Sequence, residues 1–219
     1  MSGPRTQHRE HRERRRQRRQ DAEQEILDAA ARLLRTRRYR DLTVDDIMAA
    51  TMQSRTAFYR FFPDRNALVI RLLYDLAAEL WTMSGVWLSG SGDPLDEGRR
   101  SLERLVDVYL AHGPLLGAIH EAAGLDDEVE RVYLDLASRF VDATAARIER
   151  DARAGKALPL PDIAETASAL VWMSERYLTA LFARPGLAGP EARGTAVDTL
   201  FTIWMRTIYG RDERASTAD

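Results

Sequence analysis

Residues 43–66, TVDDIMAATMQSRTAFYRFFPDRN, constrain this chain more than any other stretch. Thr43 followed three residues later by Asp46 is a capping-box arrangement, so a short helix is expected to start there and to bury Val44, Ile47 and Met48 along one side. Thr51, Met52 and Gln53 interrupt the pattern, and Ser54 is placed to cap a second helix. That helix would turn Phe58 and Phe61 or Phe62 inward while Arg55, Thr56, Tyr59 and Arg60 stay outside. Pro63 closes it and Asp64 caps the next. The outward set is basic, hydroxylated and aromatic. Guanidinium groups read guanine edges or pair with phosphate, hydroxyls bond phosphate oxygens, and a tyrosine packs on sugar while its OH bonds the backbone, so this face suits DNA.

The segment resembles the helix-turn-helix of the TetR family of bacterial transcriptional repressors. Asp46, Ile47, Ala49, Ser54, Phe58, Tyr59, Phe62, Asp64 and Leu68 match the family's wording. The chain departs from it at the turn glycine, which is Met52, at the next apolar position, Gln53, and at the recognition-helix threonine, which is Ala57 with Thr56 beside it. Arg65 is the basic residue opening the following helix. A left-handed backbone at Met52 would cost about 1–2 kcal/mol, so the turn is either remodelled or strained. The resemblance implies that Thr43, Ser54, Arg55, Thr56, Ala57, Tyr59, Arg60 and Arg65 face DNA.

Charge is distributed unevenly. Residues 1–66 carry 16 Arg or Lys against 10 Asp or Glu, a net +6; with −2 for the whole chain, the remainder holds −8. One end suits a polyanion and the other repels it. Cysteine is absent, which excludes disulfides, zinc fingers and thiol chemistry. With no apolar core behind the Arg-rich start and no long apolar run, neither a secretory signal nor a membrane span is expected, and the protein reads as cytoplasmic.

Residues 1–20 contain eight Arg, two His and two acids with no apolar periodicity, which predicts a disordered arm. Such an arm is either a solvated tail or, placed directly before a DNA-binding unit, an extension that follows phosphates or enters a minor groove, with Arg14, Arg15, Arg16, Arg18 and Arg19 nearest the head. Ile26, Ala29, Ala30, Leu33 and Leu34 recur at helical spacing, completing a three-helix head over residues 21–66.

The remainder, 67–210, reads as helices alone, with a flexible tail at 211–219; the fold class is all-α. A long helix is expected from about Asp64 to Trp87, with Leu68, Leu72, Leu76, Leu80 and Met83 on one face, broken by SGSGDP at 89–94. Pro94 to about Ala111 is a helix that HGPLL at 112–116 kinks or ends. Further helices run to Ala123, from about Asp126 to Ala154, and as a pair after LPLPD at 158–162. No strand pattern, phosphate loop or repeat appears.

SALVWMSERYLTALF and TLFTIWMRTIYG resemble the C-terminal domain of the mycobacterial ethionamide-regulator branch of the same family, whose ligand domain holds an elongated apolar tunnel. By position in that resemblance, Leu102, Val106, Tyr109, Tyr133, Phe140, Thr144, Val171, Ser174 and Trp204 would line it, Val171 and Ser174 standing where the branch has amides. The stripes Leu170, Tyr177, Leu181, Val197, Leu200, Phe201, Met205 and Ile208 are either ordinary core or, in the sharper reading, the faces that would pair two subunits in a two-fold four-helix bundle. One short recognition helix contacts too few bases for specificity, so a homodimer reading a pseudo-palindromic operator is expected.

The expected function is therefore repression released by a small apolar effector, with no cofactor, metal or enzymatic activity. His112 and His120 are too few and too far apart for a metal site and read as surface residues; Glu175 and Arg176 read as interface charges. A nonspecific architectural DNA binder, or an activator, would share the basic head.

Overall fold

The computed structural model describes residues 4–183, 189 and 191–211, the first seven by backbone alone. The described residues form helices and connecting turns. α1 (Pro4–Leu34), α2 (Val44–Ala49) and α3 (Arg55–Phe61) build the head, with a single 3-10 turn at Tyr39–Asp41. α4 (Arg65–Leu88), α5 (Pro94–Ala123), α6 (Asp127–Arg153), α7 (Ile163–Phe182) and α8 (Ala192–Tyr209) build the body. No described helix is long and apolar enough to cross a membrane. The flexible tail expected from the sequence falls mainly on residues 212–219, outside the described residues.

Caps fix the helix starts. Thr43 and Asp46 complete the capping box in both directions, and Ser54, Asp64, Asp93, Asp126 and Asp162 each accept backbone N–H groups at the start of the next helix. Each side-chain oxygen satisfies donors that the first helical turn leaves unpaired.

Two elements differ from expectation. Residues 4–20 continue α1 as helix, rather than forming a disordered arm. They have no apolar face to bury, and residues 11–20 are exposed throughout, so the helix relies on the helix-forming Arg, Glu and Gln and on one-turn pairs such as Gln17 Nε2 donating to Asp21 Oδ1 at 2.8 Å. α5 also runs unbroken through Pro114. Leu115, Leu116, Ala118 and Ile119 are buried just beyond the proline, and Gly113 lets α7 approach so closely that a Cβ there would lie 2.2 Å from the Phe182 carbonyl oxygen. Tertiary packing on both sides therefore holds the helix across a residue that removes one of its bonds.

In the body, α5 packs against all four of the other helices. The head docks on the C-terminal end of α5: the Tyr39 backbone N–H and Arg40 Nε donate to the two Glu121 carboxylate oxygens at 3.0 and 2.5 Å. Arg35 donates to the Ala111 carbonyl at 2.8 Å. The Tyr39 hydroxyl donates to Asn66 Oδ1, whose amide nitrogen donates to Asp126 at 2.5 Å, so the head, the start of α4 and the α5–α6 turn share one hydrogen-bonded junction. Burial is the main reason the Tyr39 hydroxyl titrates above its ordinary range.

Candidate DNA-binding face and ligand cavity

α3 buries Phe58 completely and Ala57 almost so, which presents Arg55, Thr56, Tyr59 and Arg60 on its exposed side. Phe62, just past the helix, is also core, and Phe61 is half-buried. Arg55 Nη1 donates to both Asp45 oxygens at 2.6 and 2.8 Å, which ties the start of the recognition helix to α2. Its pKa is raised, first by hydrogen bonding with Tyr59 and then by the Asp45 charge. The Arg55 guanidinium lies 5.9 Å from the Tyr59 ring, and Tyr59 is 49% exposed. From α1, the Arg19 guanidinium lies 5.8 Å from the Phe61 ring, so the basic helix passes beside α3. Arg14, Arg15, Arg16 and Arg18 are exposed along that helix.

Three expected DNA contacts are otherwise employed. Ala57 is buried and offers no face to a groove. The Thr43 hydroxyl donates to Asp46 Oδ2 at 2.5 Å and accepts from the Asp46 N–H at 3.1 Å. Arg65 lies 4.3 Å over the Tyr39 ring and donates to the Tyr39 and Leu42 carbonyls, which binds the 3-10 turn to α4. Sequence position alone puts it beside the recognition helix; the Tyr39 and Leu42 carbonyls of the turn pull it inward.

The turn itself is remodelled. Among the described residues no non-glycine has a positive φ, so Met52 is not left-handed, and its side chain is 93% exposed. Glu25 of α1 takes the role of organiser: its carboxylate accepts the Met52 N–H at 2.6 Å and the Gln53 side-chain amide at 2.8 Å. Those bonds, the Met52 N–H foremost, hold the Glu25 carboxyl below the usual carboxylate range.

Behind the head, α4, α5, α6, α7 and α8 surround an apolar cavity of about 150 Å³. Leu102, Tyr109, Tyr133, Phe140, Thr144, Val171, Ser174 and Trp204 line it as the resemblance implies. Val106 does not; it is fully buried in the core. α4 contributes a wall that its sequence pattern marks only as packing, Leu73, Leu76, Ala77, Leu80, Ser84, Trp87 and Leu88, and Trp172 and Glu175 join from α7. Periodicity identifies the α4 stripe as buried, but it carries no sign that a hollow lies beyond it. Glu175 accepts from the Thr179 hydroxyl at 2.9 Å and forms no ion pair among the described residues, so it is a wall residue in this subunit. Burial first, and then the nearby Glu175 charge, push both the Tyr109 and Tyr133 hydroxyls well above the ordinary tyrosine range.

The floor is set by aromatic and ionic contacts. The Trp87 and Trp204 rings meet edge to face at 5.6 Å, and Trp204 Nε1 donates to Ser174 Oγ at 2.9 Å. Beneath Trp87, at 5.3 Å from its ring, lies Arg147, whose side chain is 1% exposed. Arg147 donates to Asp151 at 2.7 Å, Glu97 at 3.2 Å, the Gly90 carbonyl at 2.9 Å and the Trp87 carbonyl. It staples the end of α4 to α5 and α6. Sequence reasoning missed this cluster, because Arg147, Glu97 and Asp151 sit in sequence neighbourhoods that look like solvated helix faces.

Most of the stripe expected to pair two subunits is covered within one subunit. Leu170, Val197, Leu200, Phe201, Met205 and Ile208 are buried within this subunit, and Met205 lines its cavity. A helical stripe records that a face is covered, not which chain covers it. Tyr177 and Leu181 are half-buried, and Ile203 on the outer side of α8 is 37% exposed. His112 lies 3.3 Å from Glu79, and His120 lies 3.1 Å from Arg176, both at helix surfaces.

A capped pair of short helices carried on a three-helix head, joined through one continuous helix to an apolar cavity, defines a helix-turn-helix transcriptional regulator. Two family models match the chain: "Bacterial regulatory proteins, tetR family" over residues 26–72, and "Transcriptional regulator EthR, C-terminal domain" over residues 98–210. The HTH-type transcriptional regulator EthR of Mycolicibacterium smegmatis is 31% identical over 193 residues, 87% of each chain. That of Mycobacterium tuberculosis is 32% identical over 197 residues, 88% of this chain and 89% of the relative. The chain belongs to the TetR family and, within it, is homologous to EthR. Among solved structures, the TetR family regulator PfmR of Thermus thermophilus shares the fold at a TM-score of 0.68 and 21% identity, with 86% of this chain and 99% of that one covered. A TetR-family regulator from Syntrophomonas wolfei gives 0.69 at 16%, with 84% and 95% covered.

Proposed function

We propose that this protein is a repressor that binds a pseudo-palindromic operator as a homodimer and leaves it when a small, largely apolar molecule fills the body cavity. The observation that carries the reading is continuity: α4 is capped by Asp64, immediately behind the recognition helix, and its further turns form one wall of the cavity. An occupant that favours a different packing of α4 changes the attitude of the head, and the head's polar junction with Glu121 and Asp126 gives the body a second hold on it. Ligand and operator then draw on one conformational equilibrium and weaken each other reciprocally. A difference of about 3 kcal/mol between the two states suffices for roughly 150-fold loss of operator affinity.

Phosphate contact is supported by the exposed arginines of α1, and base reading by Arg55, Thr56, Tyr59 and Arg60. Ser54, exposed at the start of α3, is placed to meet a phosphate while it caps. Subunit pairing is assigned to the outer faces of α7 and α8 around Tyr177, Leu181 and Ile203, in place of the stripes turned into the subunit's own core. Selection of bound duplexes from a random pool tests the whole reading. A two-fold motif with half-sites about one helical turn apart is expected; a pool with no preferred sequence would overturn it in favour of an architectural role.

A further inference from the structure

Among the described residues the cavity lining carries a single formal charge: Glu175 is its only acid, and none of the described Lys, Arg or His residues lines it. The carboxylate accepts a hydrogen bond from the Thr179 hydroxyl and has no cation partner among the described residues. Arg176, next in the chain, turns outward to His120 Nε2 at 3.1 Å. An anion against an apolar wall without a counter-charge is costly, so a positive group brought beside it gains twice, by relieving that cost and by direct attraction.

The surroundings of Glu175 match a cation rather than a neutral carbonyl. The Tyr133 hydroxyl is buried beside the Glu175 carboxylate, near enough to interact with it but without a full hydrogen bond, and its ring lies 6.1 Å from the Trp172 ring. Aromatic faces attract ammonium groups through their quadrupole. Ser174, by contrast, is already committed: its hydroxyl donates to the Leu170 carbonyl at 2.8 Å and accepts from Trp204 Nε1. Val171 has no polar group to offer. Trp87 Nε1, a second buried group without a full hydrogen bond among the described residues, lies beside the Tyr209 hydroxyl at the floor.

We propose that the effector is a small organic cation, an amine of about single-ring size, with its ammonium seated between the Glu175 carboxylate and the Tyr133 and Trp172 rings and its apolar body along Leu102, Val171 and Trp204. This assignment rests on the ligand-released repressor reading and names the chemistry of that same cavity. About 150 Å³ accommodates one aromatic ring.

Three probes of similar bulk test it on the full chain near neutral pH: 2-phenylethylammonium, 2-phenylethanol and 3-phenylpropanoate, followed by calorimetry and by quenching of the cavity tryptophans. The ammonium is expected to bind about tenfold more tightly than the alcohol, and the carboxylate not at all. Glu175→Gln should bring the ammonium down to the affinity of the alcohol, with Tyr133→Phe reducing the same preference by a smaller factor. The proposal is overturned if the alcohol matches the ammonium in the unaltered protein, if the carboxylate binds best, if the ammonium shows no saturable binding up to about 10 mM, or if Glu175→Gln leaves the preference intact. The head-group comparison in the unaltered protein needs no variant to fold. Repeating the titrations with labelled operator separates the two readings: an alcohol that displaces DNA as well as the ammonium sinks the cation and retains release by occupancy, whereas an ammonium held by Glu175 that leaves DNA affinity unchanged retains the cation and sinks release.

Discussion

Arg147→Met is expected to be among the most damaging single changes outside the head, and its cost follows from what the guanidinium holds. Four hydrogen bonds disappear, to Asp151, Glu97 and the Trp87 and Gly90 carbonyls. Two carboxylates, each about 9% exposed, lose their counter-charge. Stranding buried charge by deleting one partner costs about 3–5 kcal/mol. Glu97 keeps the Gly92 N–H at 2.8 Å and Asp151 keeps the Tyr209 hydroxyl at 2.6 Å, which places the loss near the lower end, about 3 kcal/mol. With a denaturant slope of about 2–3 kcal/mol/M in urea, the unfolding midpoint should fall by roughly 1 M or more. Tryptophan fluorescence is the natural probe, since Trp87 lies directly over the guanidinium. Adding Glu97→Gln and Asp151→Asn to Arg147→Met should recover part of the loss, because the stranded charges go with them. A midpoint for Arg147→Met within about 0.3 M of the unaltered protein would refute the reasoning, since that corresponds to less than about 1 kcal/mol and would mean that the cluster is solvated rather than sealed.

Removal of residues 1–19 should weaken binding to every duplex alike and flatten the plot of log affinity against log salt by about 0.9 for each phosphate that the arm had neutralised; an unchanged slope in fluorescence anisotropy would show that the α1 arginines do not touch DNA. Arg60→Ala or Tyr59→Phe should instead alter affinity in a sequence-dependent way, read by comparing selected and scrambled duplexes. The Glu25 and Asp46 carboxyls are both held below their ordinary range by hydrogen bonds, from Met52 and from Thr43 respectively as the largest contributions, so their stabilisation of the head is complete above the unfolded carboxylate value of about 4 and fades as pH falls through the lower folded values. Hydrogen exchange of the Met52 and Asp46 amides should accelerate on acidification relative to body amides, and Glu25→Gln should remove most of that pH dependence at Met52. Ile203→Glu should shift sedimentation from dimer toward monomer and reduce operator binding with little loss of melting temperature; a dimer of undiminished stability would place the interface elsewhere.

The head was legible residue by residue because its signals are local. A capping box spans four residues, Ser54 and Asp64 sit one turn from the N–H groups they cap, and helical spacing turns Phe58 inward, while the choice between Phe61 and Phe62 was left to the chain's path beyond the helix. Where an apparently local signal failed, a distant residue had intervened. Met52 avoids the left-handed backbone because Glu25, 27 positions earlier, accepts its N–H. Arg65 is drawn from DNA by carbonyls 23 and 26 positions back. Pro114 sits inside an unbroken helix because Gly113 admits the α7 backbone.

By itself the sequence determined that the chain is helical, where most helices begin, which faces are covered and which short segment forms the helix-turn-helix, since each follows from periodicity and side-chain reach along one or two turns. Only the tertiary structure decided what covers each face: that the α7 and α8 stripes close on their own subunit, that α4 lines a hollow, that Arg147 gathers two acids beneath it, and that Glu175 stands in that hollow with no counter-charge among the described residues. The physical reason is that periodicity records the angle at which a side chain leaves its helix, whereas burial, vacancy and charge compensation depend on which other helix arrives there.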